Sequence, residues 1–243
     1  MPSYQTTGIV LSRTNYGEAD RILRVLTPDR GKISVIAKGA RRIKSRAGGH
    51  LELFGEVTLF LATGRNLDVV TQARLKWYPH SLTDNFTRLN LTFLIAQATD
   101  RMTEEGPATQ GLYWTFLEAL HAVDEGASGP LPELWYKLRL LALTGFQPQL
   151  SACVICGRRD DTTDYAFSPE KGGIVCRSDA TSTDTPMSQG AIKLWRLLGT
   201  HNYTSIAQVQ GADTLAEKTL DLCDRFYEHH VGRAFHISTT PEK

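Results

Sequence analysis

Asp20-Arg-Ile-Leu-Arg-Val-Leu-Thr27, Pro28-Asp29-Arg30-Gly31 and Lys32-Ile-Ser-Val-Ile-Ala-Lys38 form the continuous stretch on which the fold turns. Two β-branched-rich runs flank a segment with Pro and Gly where a tight turn or short hairpin loop wants them. In the second run Ile33, Val35 and Ala37 share one face, the period-2 signature of a half-buried strand. Upstream, Gly8-Ile-Val-Leu-Ser-Arg13 is a short apolar run ending at the turn residues Asn15 and Gly17. Downstream, Phe54-Gly-Glu-Val-Thr-Leu-Phe-Leu61 and Leu67-Asp-Val-Val-Thr71 resume the pattern, joined at Gly64-Arg65-Asn66. Five short strands so punctuated suit a small closed barrel, and the OB-fold is the five-stranded type.

A basic stretch runs straight out of the third strand. Between Asp29 and Glu52 stand seven cations and no acid: Arg30, Lys32, Lys38, Arg41, Arg42, Lys44 and Arg46. The whole chain is almost neutral at +1, yet residues 1–80 hold thirteen Lys+Arg against six Asp+Glu, while residues 81–243 hold fourteen against twenty. A split of +7 against −6 predicts that one end meets a polyanion. On a barrel flank these cations would neutralise phosphates and release counterions. Tyr4, Tyr16, Phe54 and Phe60 supply aromatic candidates for stacking on single-stranded bases. A solvated loop is the plain alternative, and an anionic membrane surface is a weaker one, because no amphipathic helix carries the charges.

After Pro79 the period changes. Leu89, Phe93, Ala96 and Met102 mark one helix; Leu112, Phe116, Leu117 and Leu120 a second; Leu134, Leu138, Leu141 and Phe146 a third. Two more are expected around Ile192–Leu198 and from Asp213 to about Val231, the latter with Leu215, Thr219, Leu222, Phe226 and His230 on one stripe. The segment 151–186, rich in Asp, Thr, Ser and Gly, is too polar for its own core, so something must order it. The expected organisation is α+β and multidomain: an OB barrel over 1–80, then a helical domain in two parts, 81–150 and 187–243, interrupted by a zinc-ribbon-like insertion over 151–186. No apolar run reaches membrane-span length and the N-terminus lacks a signal-peptide pattern, so a cytoplasmic location is expected.

Four cysteines in a reducing compartment point to metal binding or burial rather than disulfides. Cys153-Val-Ile-Cys156-Gly is a knuckle, whose two thiolates can bite one Zn²⁺ while the glycine lets the turn close. Cys176 follows, but a four-cysteine site would place its last thiolate at 179, where Asp179 stands. Three readings are open: zinc held by Cys153, Cys156, Cys176 and Asp179, which is favoured; zinc completed by Cys223 or a distant histidine; or a metal-free remnant. A structural role is expected of any zinc, since no base is evident beside it.

At these two motifs the sequence resembles a known family. Tyr16-Gly-Glu-Ala-Asp-Arg-Ile-Leu23, Leu26-Thr27, Gly31-Lys-Ile33, Ala37-Lys-Gly-Ala-Arg-Arg42 and Ser45 are similar to the N-terminal signature of the RecO family of bacterial recombination mediators. Gly145-Phe-Gln-Pro148, Ser151, Cys153-x-x-Cys156-Gly157, Phe167-Ser-Pro169 and Gly172-Gly-x-x-Cys176 are similar to its zinc segment; Asp179 is the departure. The resemblance implies an OB-fold, a helical domain and an inserted zinc-ribbon-like unit. It also implies binding of single- and double-stranded DNA, annealing of complementary strands, and help in loading RecA onto DNA coated with single-strand-binding protein. The implied partners are RecR and the acidic C-terminal tail of that protein, for which Lys137 and Arg139 are candidate contacts. Enzyme readings are weak: no P-loop is present, the histidines show no metal spacing, and the Cys pair lacks a thioredoxin-like setting. An RNA-binding or ribosome-associated OB-fold factor is the alternative.

Overall fold

The computed structural model describes residues 2–45, 47–159 and 164–232, so Arg46 lies outside the described residues. The chain divides into two compact units, 1–126 and 127–243.

In the first unit, strands β1 (Ser3–Tyr16), β2 (Asp20–Thr27), β3 (Gly31–Ala37), β4 (Glu56–Ala62) and β5 (Asp68–Trp77) close a barrel in the order β1-β2-β3-β5-β4. Every neighbouring pair is antiparallel except β3 and β5, which run parallel with Val35 opposite Asp68. This is the expected OB-fold. β1 is longer than its apolar run because it serves two neighbours: Ser3–Ile9 pairs with β4 and Ile9–Tyr16 with β2. The register shifts between Val10 and Ser12, and a bulge of this kind bends a strand so that a small barrel can close. The alternating pattern sends Val10, Leu23, Val25, Val35, Val57, Leu59 and Leu61 into one core. Gly31 needs its missing side chain: its φ is +66°, and a Cβ there would run into the Gly106 carbonyl.

Phe54, expected at the start of the fourth strand, stands outside it with φ +68° and is buried edge-on against Phe93, ring centroids 5.0 Å apart. Helices α1 (Phe86–Met102) and α2 (Leu112–Asp124) belong to the barrel's unit, so the compact division falls at 126. Side-chain bonds show why. The Tyr113 hydroxyl donates to Glu56 at 2.8 Å, and Lys32 Nζ donates to the Asp100 carbonyl and carboxylate at 2.6 and 2.9 Å.

The second unit holds α3 (Pro130–Leu143), α4 (Gln189–Leu198), α5 (Tyr203–Ile206) and α6 (Ala212–Val231), with a sheet of β6 (Tyr165–Ser168), β7 (Gly173–Cys176) and β8 (Thr185–Met187) in the order β7-β6-β8. Leu134, Leu138 and Leu141 are buried as expected, whereas Phe146 lies beyond the helix end and is partly exposed. What orders the polar segment is packing. All residues of β6 and β7 are buried, and Phe167 packs against Trp195 of α4 at 5.0 Å and Phe226 of α6 at 5.9 Å. Trp195 Nε1 donates to Thr219 at 2.9 Å, tying those helices together. Asp184 clamps the β7–β8 connection. Burial alone would raise its pKa, but hydrogen bonds from Lys171, Ser168 and Thr181 hold the carboxyl well below the usual range.

Candidate nucleic-acid interface and metal centre

The basic stretch is a structured loop rather than a free one. Ala40 and Leu51 are buried in the barrel core, which anchors it at two points. Gly39, at φ +67°, donates its N–H to Asp20 at 2.7 Å, and Arg42 N–H donates to the Gly39 carbonyl at 3.0 Å. Arg41 fastens the loop to the β1–β2 turn: its backbone N–H donates to Ala19 O at 2.9 Å and its Nη1 to Gly17 O at 3.2 Å. Lys38, Arg41, Arg42 and Lys44 are all exposed, and none forms an ion pair with a described residue. Four like charges on one pinned loop raise the local potential and favour an anionic partner.

The other two candidate cations stand apart. Arg30 lies in the β2–β3 turn, at the far end of β2 from Gly17 and, over eight residues, roughly 25 Å away. Its guanidinium covers the Tyr4 ring at 4.0 Å and it pairs with Asp29 at 3.6 Å. Lys32 is a correction: it is buried, 8% exposed, and its charge is spent on Asp100. Arg24 shares the same carboxylate at 2.6 Å, so one negative charge serves two cations on this part of the barrel wall. Arg65, exposed in the β4–β5 turn, stands alone in the sequence, so clustering of charge does not mark it.

Of the aromatic candidates, Phe54 is buried and Tyr4 is engaged: its hydroxyl donates to Asp68 at 2.5 Å, and burial together with that bond pushes its pKa up to about 12. Tyr16, at the tip of β1, is 56% exposed, and Phe60 is exposed as well.

In the second unit Cys153, Cys156, Cys176 and Asp179 converge, their ligand atoms all within 4.8 Å of one another. The knuckle is closed by Gly157 N–H to Cys153 O and Cys153 N–H to Arg158 O, both 2.9 Å. It is joined to β7 by Val154 N–H to Ile174 O at 2.9 Å and by Cys176 N–H to Cys153 Sγ at 3.3 Å. The separations are 3.6 Å for the Cys156 and Cys176 sulfurs, 3.4 Å from Cys153 Sγ to Asp179 Oδ2, and 3.0 Å from Cys176 Sγ to the same oxygen. Tetrahedral donors around an ion with bonds near 2.3 Å lie roughly 3.8 Å apart, so the donor set fits a zinc-sized cation. Hydrogen bonds from Cys156, Cys176 and Cys153 hold the Asp179 carboxyl below the usual range, and Asp179 in return pushes Cys156 up to about 12. Cys223 is no part of this group: it is buried on α6, where desolvation pushes its thiol up to about 12.

Lys137 is a second correction. It is 1% exposed and bonded to Glu133 and Asp224, both at 2.5 Å, so no partner's acidic tail reaches it. Arg139 is partly exposed and donates Nη1 to Gly199 O at 2.9 Å.

On fold alone the chain is an OB-barrel protein with a second, helical unit built around a metal-competent knuckle. Residues 1–78 match the description Recombination protein O N terminal, and residues 84–238 match Recombination protein O C terminal. The chain is 36% identical over 238 residues to the DNA repair protein RecO of Bifidobacterium adolescentis, covering 96% of each chain. It is 34% identical over 233 residues to that of Roseiflexus sp., covering 95% of this chain and 82% of the relative. A relative from Desulforudis audaxviator is 40% identical over 178 residues, 73% of this chain and 70% of its own. The chain belongs to the RecO family of DNA repair and recombination proteins.

Proposed function

We propose that this chain is a non-enzymatic recombination mediator that holds DNA by its backbone and anneals complementary strands. The observation that carries this is the pinned loop presenting Lys38, Arg41, Arg42 and Lys44, exposed and without acidic partners among the described residues. Annealing is opposed by repulsion between two phosphate chains, and a loop that neutralises both lowers that repulsion. Arg46 belongs to the same run, and Arg30 serves at the far end of the barrel. Among the described residues no element resembles a base-reading helix, so sequence selectivity is poor.

The helical unit carries protein contacts. Arg139 is the candidate for the acidic tail of single-strand-binding protein, supported by the partly exposed Leu197, two residues before the Gly199 that Arg139 bonds, and by the partly exposed Phe146. RecR as a partner and, through it, help in loading RecA are supported by membership of the RecO family. Cys153, Cys156, Cys176 and Asp179 would hold one structural Zn²⁺, which when bound cross-links the knuckle to the turn after β7. A cytoplasmic location goes with this role.

The test is an annealing assay with wild type and a variant neutralised at Arg41, Arg42, Lys44 and Arg46. We expect annealing to be lost while the fold is kept. With about six phosphates engaged, wild-type affinity for single-stranded DNA falls by roughly three orders of magnitude from low to moderate salt. Unchanged annealing in the variant moves the DNA site elsewhere. Equal or tighter binding of RNA of the same length replaces the repair reading with an RNA-binding one.

A further inference from the structure

The basic loop carries an apolar tip that phosphate binding does not explain. Ile43 is 104% exposed, between Arg42 and Lys44. The turns around it are defined, with Arg42 N–H to Gly39 O at 3.0 Å and Ser45 N–H to Arg42 O at 2.9 Å, so the backbone that carries the side chain is fixed. The loop is fastened by Arg41 to Gly17 and Ala19. The residue next to Gly17 is Tyr16, 56% exposed. One end of the barrel therefore presents an aromatic ring and a branched alkyl group among four cations.

We infer that Tyr16 and Ile43 form a base-contacting element that lets this rim distinguish unpaired from paired strands. The inference rests on the DNA-binding reading above and adds to it. A partner that suits this rim must be anionic and must also offer apolar surface within a few ångströms of its charge. Unpaired nucleotides do so, since each base shows a π-face beside its phosphate, whereas in a duplex those faces are covered by neighbouring pairs. Tyr16 stacks on a base, Ile43 packs against a base or sugar, and Arg41, Arg42 and Lys44 take the adjoining phosphates. Recognition of this kind is tolerant of sequence because every base has a face. It would hold a strand with its bases splayed while the backbone charge is neutralised.

The experiment compares the full chain with Tyr16→Ala, Ile43→Ser, the double variant and Tyr16→Phe. Binding is measured by fluorescence anisotropy to an oligothymidine, an abasic oligonucleotide of equal length, a duplex, and vesicles of anionic phospholipid. Wild type should bind oligothymidine about tenfold more tightly than the abasic strand. The double variant should lose that difference with duplex affinity unchanged, and Tyr16→Phe should retain it. Wild-type indifference to the bases, an unchanged preference in the double variant, or equal losses on all three nucleic acids overturns the inference. So does vesicle binding that depends on Ile43 while strand binding does not. Failure of the DNA-binding reading looks different: the variant neutralised at Arg41, Arg42, Lys44 and Arg46, measured alongside, would then bind every nucleic acid as wild type does.

Discussion

Lys32 and Lys137 show at the scale of single residues how a cation's surroundings decide its role. Each is buried against acid: Lys137 meets two carboxylates that its truncation would leave uncompensated, whereas Lys32 meets Asp100, which Arg24 also faces. Lys32→Ala should destabilise the fold by about 2–3 kcal/mol, at the low end for a broken buried pair because Arg24 still faces Asp100. DNA affinity per folded molecule should not change, which separates this lysine from Arg41 and Arg42; urea denaturation with parallel binding measures both. Lys137→Met should cost about 3 kcal/mol, since Glu133 and Asp224 keep some access to water. Burial by itself would lower the Lys137 pKa, but Glu133 and Asp224 raise it above the ordinary value. The group is therefore held protonated more firmly in the folded state than in the unfolded one. Its contribution is fully present below the unfolded value near pH 10.4 and is lost as pH rises through the higher folded one. The stability difference between wild type and Lys137→Met should stay constant from neutral pH to about pH 10 and shrink above it.

At the scale of elements, the knuckle and its sheet divide the task of holding the polar segment. Asp179→Ala should weaken metal binding, and Asp179→Cys should strengthen it by restoring a fourth thiolate; metal analysis after competition with a chelator checks both. Neither change should unfold the unit, because Phe167 remains packed on Trp195 and Phe226. Much of this was legible beforehand. Strand spacing showed five barrel strands, helical stripes showed five of the six α-helices among the described residues, and the Cys-x-x-Cys spacing with Cys176 and Asp179 showed the ligand group. What stayed hidden was tertiary. Lys32 meets a carboxylate 68 residues away and Lys137 one 87 residues away, so a run of cations on paper could not show which were already paired. The buried strands Tyr165–Ser168 and Gly173–Cys176 are four residues each and are outnumbered by polar neighbours, so the segment's average polarity concealed them. Phe54 looked like a strand residue because aromatic residues favour strands, yet packing against Phe93 holds it in a left-handed conformation.

For the whole molecule, the division at residue 126 matters more than the change from strands to helices at 80. The barrel with α1 and α2 carries the cationic loop, and the remaining helices carry the knuckle, so lesions should separate by unit. Lys32→Ala should lower the melting of the first unit and Lys137→Met that of the second, which calorimetry with unit-resolved exchange measurements would show. The acid excess after residue 80 is partly spent inside the first unit, where Asp100 and Glu105 face barrel residues Lys32, Arg24 and Ser34. The charge split along the sequence is thus only in part a split across the surface.

The hydrogen bond from Val154 N–H to Ile174 O has a consequence for how the second unit breathes. It ties the knuckle to the middle of a buried strand, with the Cys176 N–H to Cys153 Sγ bond beside it, while the sheet itself is wedged against two helices. Deuterium should therefore enter the knuckle and the sheet on different clocks. Removing zinc from protein loaded with it should speed uptake at Cys153–Gly157 and leave Phe167 and Ile174 as slow as the centres of α4 and α6.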